Sequence, residues 1–146
     1  MPELDMAAIA SNLDHLIDVA GTGEQNSYRI GDLAKEFSLT LRTLRFYEDR
    51  GLINPERRGS TRIYSQHDHS RLKVIVLAKQ VGFALTEIQQ IMDIYDNPGK
   101  YSDPVNAMLE MFKSQMSVLA EERSETELAI AKLTKTIDML RTLSRE

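Results

Sequence analysis

Arg42 and Arg45 stand within Thr40-Leu41-Arg42-Thr43-Leu44-Arg45-Phe46-Tyr47-Glu48-Asp49-Arg50-Gly51-Leu52, and Tyr47 follows two residues later. A guanidinium offers a planar fork of donors that suits phosphate oxygens or the O6 and N7 of guanine, and a tyrosine hydroxyl adds a contact to a nucleic-acid backbone. A second basic stretch, Pro55-Glu56-Arg57-Arg58-Gly59-Ser60-Thr61-Arg62, places Arg58 and Arg62 beside a glycine turn. Charge there reaches flanking phosphates or a narrow minor groove. Any single arginine is as readily a solvated surface residue, but the set is harder to dismiss. Other chemistry finds less support. No nucleophile and base pair, metal cluster or phosphate loop stands out, so catalysis is not expected. His67-Asp68-His69 invites a metal reading, yet spacing of i and i+2 near a helix start points the two imidazoles apart, and His15 stands alone in an acidic stretch. The chain has no cysteine, which excludes thiolate metal sites and thiol redox switches within it. Five of its seven methionines follow residue 90, where packing at helix interfaces explains them better than a soft-metal site. No cofactor is expected.

The elements that would hold these arginines can be read from periodicity. Ile30, Leu33, Ala34 and Phe37 share one helical face, Ser38-Leu39 breaks it, and Leu41 and Leu44 begin another. Thr40 can cap the second helix, and Gly51 sits where a left-handed residue would end it. Two short helices joined by a tight turn make a helix-turn-helix. Two β-prone pieces around Gly59 then predict a small β-hairpin, or wing. A further helix is predicted from about Gln66 to Val81, broken by Gly82-Phe83. Thr86 and Gln89 suggest a capping box opening the next helix, which carries Ile88, Ile91, Met92 and Tyr95 and ends at Asn97-Pro98-Gly99.

The last forty residues change pattern. Leu109, Phe112, Met116, Leu119, Ile130, Leu133, Ile137 and Leu140 fall at alternating steps of three and four, a coiled-coil seam interrupted at Arg123 and Thr126. Little chain remains to cover such a stripe, so dimerisation through these eight residues is the expected remedy. The alternative, a helix folded back on its own N-terminal domain, stays open.

Charge divides along the chain in the same places. The net charge of −4 conceals −5 over residues 1–27, +5 over 28–80 and −4 over 81–146. A positive block between acidic flanks fits one face that meets phosphates. No apolar run approaches the roughly 20 residues that cross a bilayer, and the start lacks a secretory signal, so no membrane partner and a cytoplasmic location are expected. The expected organisation is an acidic extension at 1–27, with a short amphipathic helix through Met6, Ile9, Leu13, Leu16 and Ile17, a winged helix-turn-helix domain at 28–97, and a dimerisation helix at 98–146. The fold class is mainly α.

Tyr28-Arg29-Ile30-Gly31-Asp32-Leu33-Ala34, Arg42-Thr43-Leu44-Arg45-Phe46-Tyr47-Glu48 with Gly51-Leu52, Arg62-Ile63-Tyr64-Ser65, and Val81-Gly82-Phe83 leading to Glu87-Ile88 occur in unbroken order. With this ordered set the chain resembles the MerR family of bacterial transcription regulators over about residues 28–95. The resemblance implies a winged helix-turn-helix, a two-helix connector and a long helix pairing antiparallel in a homodimer. It makes Arg42, Arg45 and Tyr47 recognition-helix contacts, with Thr40 and Thr43 beside them, and Arg58, Arg62 and Tyr64 wing contacts. It also implies a pseudo-palindromic operator in promoter DNA, remodelled so that RNA polymerase engages both promoter elements. Metal- and thiol-sensing members carry cysteines that this chain lacks, and drug-sensing members append a ligand-binding domain after the long helix, which is not expected here. An excisionase-like DNA-bending protein and a coiled-coil protein adaptor are the competing functions.

Overall fold

A computed structural model describes residues 27–145. The helix expected around Met6–Ala20 therefore lies outside the described residues. Chain order is β1 (Ser27–Arg29), α1 (Ile30–Phe37), α2 (Leu41–Asp49), β2 (Glu56–Arg58), β3 (Thr61–Ser65), α3 (Gln66–Gln80), α4 (Leu85–Asp96), a 3-10 turn (Pro98–Lys100) and α5 (Pro104–Ser144). The chain divides into two compact units at Met108 and Leu109.

In the first unit, the turn between α1 and α2 places Ser38 in the left-handed region at φ 55°, and the Leu39 N–H donates to the Ala34 carbonyl at 2.9 Å. α2 begins where Thr40 Oγ1 accepts from the Thr43 N–H at 3.0 Å. It ends at Gly51, whose φ of +73° suits a residue without a Cβ. The expected cap and stop are both present.

The wing is larger than the predicted hairpin. β2 and β3 pair antiparallel around Gly59, and β1 adds a third strand on the other side of β3, giving the order β1-β3-β2. Three residues that read as a lead into α1 thus pair with β3, in register Tyr28↔Tyr64. Such short strands leave too little alternation to be seen in sequence.

α3 is the centre of the unit. Ser65 caps it reciprocally with Asp68: Ser65 Oγ accepts the Asp68 N–H at 3.1 Å, and Asp68 Oδ2 accepts the Ser65 N–H at 3.0 Å. Leu72, Val74, Ile75, Val76 and Ala78 are buried, as are Leu33, Phe37, Leu44, Leu52, Ile53, Ile88 and Ile91 of the other elements. Because elements pack around α3, its apolar residues do not form one stripe. Even Arg71 is buried, donating from Nε to the Leu52 carbonyl at 2.8 Å and from both terminal nitrogens to Asp96. That guanidinium ties the segment after α2 to the end of α4.

α4 opens two residues earlier than Thr86 suggested. Its cap is Ala84, whose N–H donates to Glu87 Oε1 at 2.9 Å. Glu87 is charged and sits at the third helical position, so it wins over the weaker Thr86 and Gln89 pair.

Most of the second unit is α5. Leu109, Met116, Leu119, Ile130, Leu133, Ile137 and Leu140 are all exposed, and Phe112 is half-buried. Among the described residues, no helix is long and apolar enough to cross a membrane.

Candidate nucleic-acid interface

Helical spacing sorts the residues of α2 into two faces. Leu44 is fully buried and Tyr47 nearly so, while Arg42 and Arg45, three residues apart, are both exposed with Thr40 at the helix start. The Thr40 and Thr43 hydroxyls lie 2.9 Å apart, so capping orients both at the N-terminal end of the helix. Helix N-termini favour anions, since unpaired N–H groups and the macrodipole converge there. Phe46 is 40% exposed and carries the Arg50 guanidinium 5.0 Å from its ring centroid, which fixes a further cation at the C-terminal end.

The wing supplies charge unevenly. Arg58 is open, its side chain 70% exposed with only a long 3.6 Å approach to Glu56. Arg62 is not free: its Nε donates to Glu48 Oε2 at 2.7 Å, and its side chain is 21% exposed. Arg57, directly across the ladder from Arg62, donates to the other carboxylate oxygen of Glu48 at 2.9 Å. Burial would raise the Glu48 carboxyl, but hydrogen bonds from Arg57 and Arg62 outweigh it and hold the group below its ordinary range. The recognition helix and the wing are thereby joined through one carboxylate. Sequence reading missed Glu48, because an acid among arginines looks like a surface residue until the hairpin folds back on the helix.

Two residues expected at the contact surface are buried. Tyr64 is fully buried on the middle strand of the sheet, paired with Tyr28, so its side chain is not on the wing surface. Tyr47 is also a packing residue. Its ring lines a cleft with Phe37, Leu39 and Val76, and burial pushes its hydroxyl above the ordinary tyrosine range. A hydroxyl near a basic segment suggests Tyr47 and the family resemblance implies Tyr64, yet helix and strand phase turn both inward.

The histidines separate as their spacing implied. His69 is buried, its Nε2 2.8 Å from Glu36 Oε1 and its ring stacked on Tyr28 at 4.5 Å. His67 is exposed, with its ring 6.0 Å from that of Tyr95. Among the described residues, no group of three or more His, Asp or Glu gathers as a metal site.

This architecture matches known proteins. The family model described as MerR HTH family regulatory protein matches residues 28–94, and that described as MerR, DNA binding matches residues 69–143. The transcriptional regulator CueR of Salmonella typhi is 36% identical over 78 residues, which are 52% of this chain and 56% of CueR. The chain thus spans little more than half the length of that relative. The regulator ZntR of Escherichia coli K12 is 33% identical over 108 residues, covering 73% of this chain and 70% of ZntR. Among solved structures, a MerR family transcriptional regulator from Bacillus cereus superposes with a TM-score of 0.57 at 28% identity, covering 77% of this chain and 78% of that one. Helix-turn-helix, three-stranded wing, two-helix connector and long C-terminal helix follow one another here as that match requires, and the chain belongs to the MerR family of helix-turn-helix regulatory proteins.

Proposed function

We propose that this protein is a transcription regulator that binds a pseudo-palindromic promoter operator as an antiparallel homodimer and remodels the DNA for RNA polymerase. The observation that carries the reading is the exposed pair Arg42 and Arg45 on the outer face of α2, together with the open Arg58 of the wing. α2 enters the major groove, where Arg42 and Arg45 reach base edges or phosphates and Thr40 and Thr43 contact the backbone. Arg58 reaches a flanking phosphate. Two-fold protein symmetry is mirrored in the operator, and deformability of the DNA between half-sites contributes to specificity.

The exposed seam of α5 supports the dimer. Seven large apolar side chains in water, at heptad spacing, stabilise a pair of helices once a second copy covers them. The CueR and ZntR relatives are named as transcriptional regulators, and regulation of transcription is the corresponding role here.

The test is a binding titration of the full chain against its own upstream DNA and against a scrambled duplex at fixed salt, repeated with Arg45→Ala. Preference for the upstream sequence is expected, and loss of a good bidentate base contact weakens it by about 1–3 kcal/mol. Equal binding to both duplexes would instead favour an architectural DNA-bending protein.

A further inference from the structure

We propose that Glu48 is a specificity-determining residue: it holds Arg57 and Arg62 back from sequence-independent contact with phosphates. The inference rests on the DNA-binding reading above.

Arg57 and Arg62 stand directly opposite each other in the β2–β3 ladder. Like charges in that position repel. Glu48 resolves the repulsion by giving one carboxylate oxygen to each guanidinium, at 2.9 Å and 2.7 Å. With its side chain only 14% exposed, Glu48 is poorly placed to find water if either partner leaves. A departing arginine would leave one oxygen of a partly buried carboxylate without its donor, which costs more than breaking an exposed pair. The contrast is Arg58 in the same hairpin, whose partner Glu56 lies 3.6 Å away with both side chains about two-thirds exposed. Arg58 is available to any phosphate, whereas Arg57 and Arg62 are both held by one carboxylate, which offsets one of their two charges.

This matters because sequence-independent affinity counts free cations. Each phosphate neutralised by a protein cation adds about 0.9 to the slope of log K against log salt on duplex DNA. Two withheld arginines lower that slope and weaken binding to random DNA, while the base-reading face of α2 is untouched. The operator is favoured by suppression of its competitors.

The experiment is a salt titration of binding to a random-sequence duplex by the wild type, Glu48→Gln and Arg57→Gln, each checked for native helix content. Glu48→Gln is expected to bind random DNA about tenfold more tightly at about 0.1 M salt, with a slope steeper by between about 1 and 2. Arg57→Gln is expected to keep the wild-type slope, because its guanidinium is already committed. A Glu48→Gln slope that is unchanged or shallower overturns the proposal, since a purely structural role would detach the wing and remove contacts. Should Glu48→Gln fail to fold, Arg57→Gln decides, and a slope lower by about 0.9 overturns the idea. A wild type that binds no duplex even at low salt defeats the DNA-binding reading itself. Wild-type binding with the wrong change in slope defeats only the role of Glu48.

Discussion

A carboxylate shared by two guanidinium groups holds them only while it is ionised. Glu48 therefore links the wing to α2 in a pH-dependent way. Its folded pKa lies below the ordinary 4.5, so its contribution to stability is present above that value and disappears as pH falls through the lower folded value. Denaturant midpoints taken from about pH 6 down to about pH 3 should show wild type and Glu48→Gln converging at the acid end. A gap that persists below the folded pKa would assign the effect to packing. Tyr64 gives a second residue-scale expectation. Its buried hydroxyl makes no hydrogen bond with the described residues, so Tyr64→Phe should alter stability by less than about 1 kcal/mol, whereas Tyr64→Ala should cost about 3–5 kcal/mol. Thermal unfolding of both variants checks this, and a large loss in Tyr64→Phe would show that the hydroxyl is used. The sequence shows the types of these residues plainly. It does not show that one carboxylate at position 48 meets arginines nine and fourteen residues later.

At the scale of elements, local signals did most of the placing. The Thr40 cap and the Gly51 stop depend on neighbours within four residues, so sequence patterns reveal them. Thr40→Ala removes the acceptor for the Thr43 N–H and should destabilise the unit by about 1 kcal/mol. Thr40→Ser should restore most of that loss in chemical denaturation; if Ala is as stable as wild type, the cap is not what starts α2. Where local signals competed, as at Ala84 with Glu87 against Thr86 with Gln89, the charged acceptor prevailed. β1 was invisible because three residues pair only with a distant strand, and β3 supplies their hydrogen bonds.

For the whole molecule, the exposed heptad stripe of α5 is the feature that one chain leaves incomplete. Leu133 is 61% exposed in the single chain, so Leu133→Asp should have little effect on the first unit while placing a charge in the proposed helix pair. Sedimentation should find wild-type dimers and a shift toward monomers in the variant; unchanged dimers would move the interface elsewhere. Operator affinity should fall when dimerisation is lost, because two linked half-sites bind as one. The sequence by itself determined the faces of the first two helices, the Thr40 cap, the helix breaks, the heptad spacing and the basic block, since each depends on spacing along the chain. Only the tertiary structure decided which side chains of that block remain outside. Tyr47 and Tyr64 turn inward, Arg62 and Arg57 are claimed by Glu48, and Arg42, Arg45 and Arg58 stay open. Availability to a ligand depends on what folds against each residue, and those partners come from elements far apart in sequence.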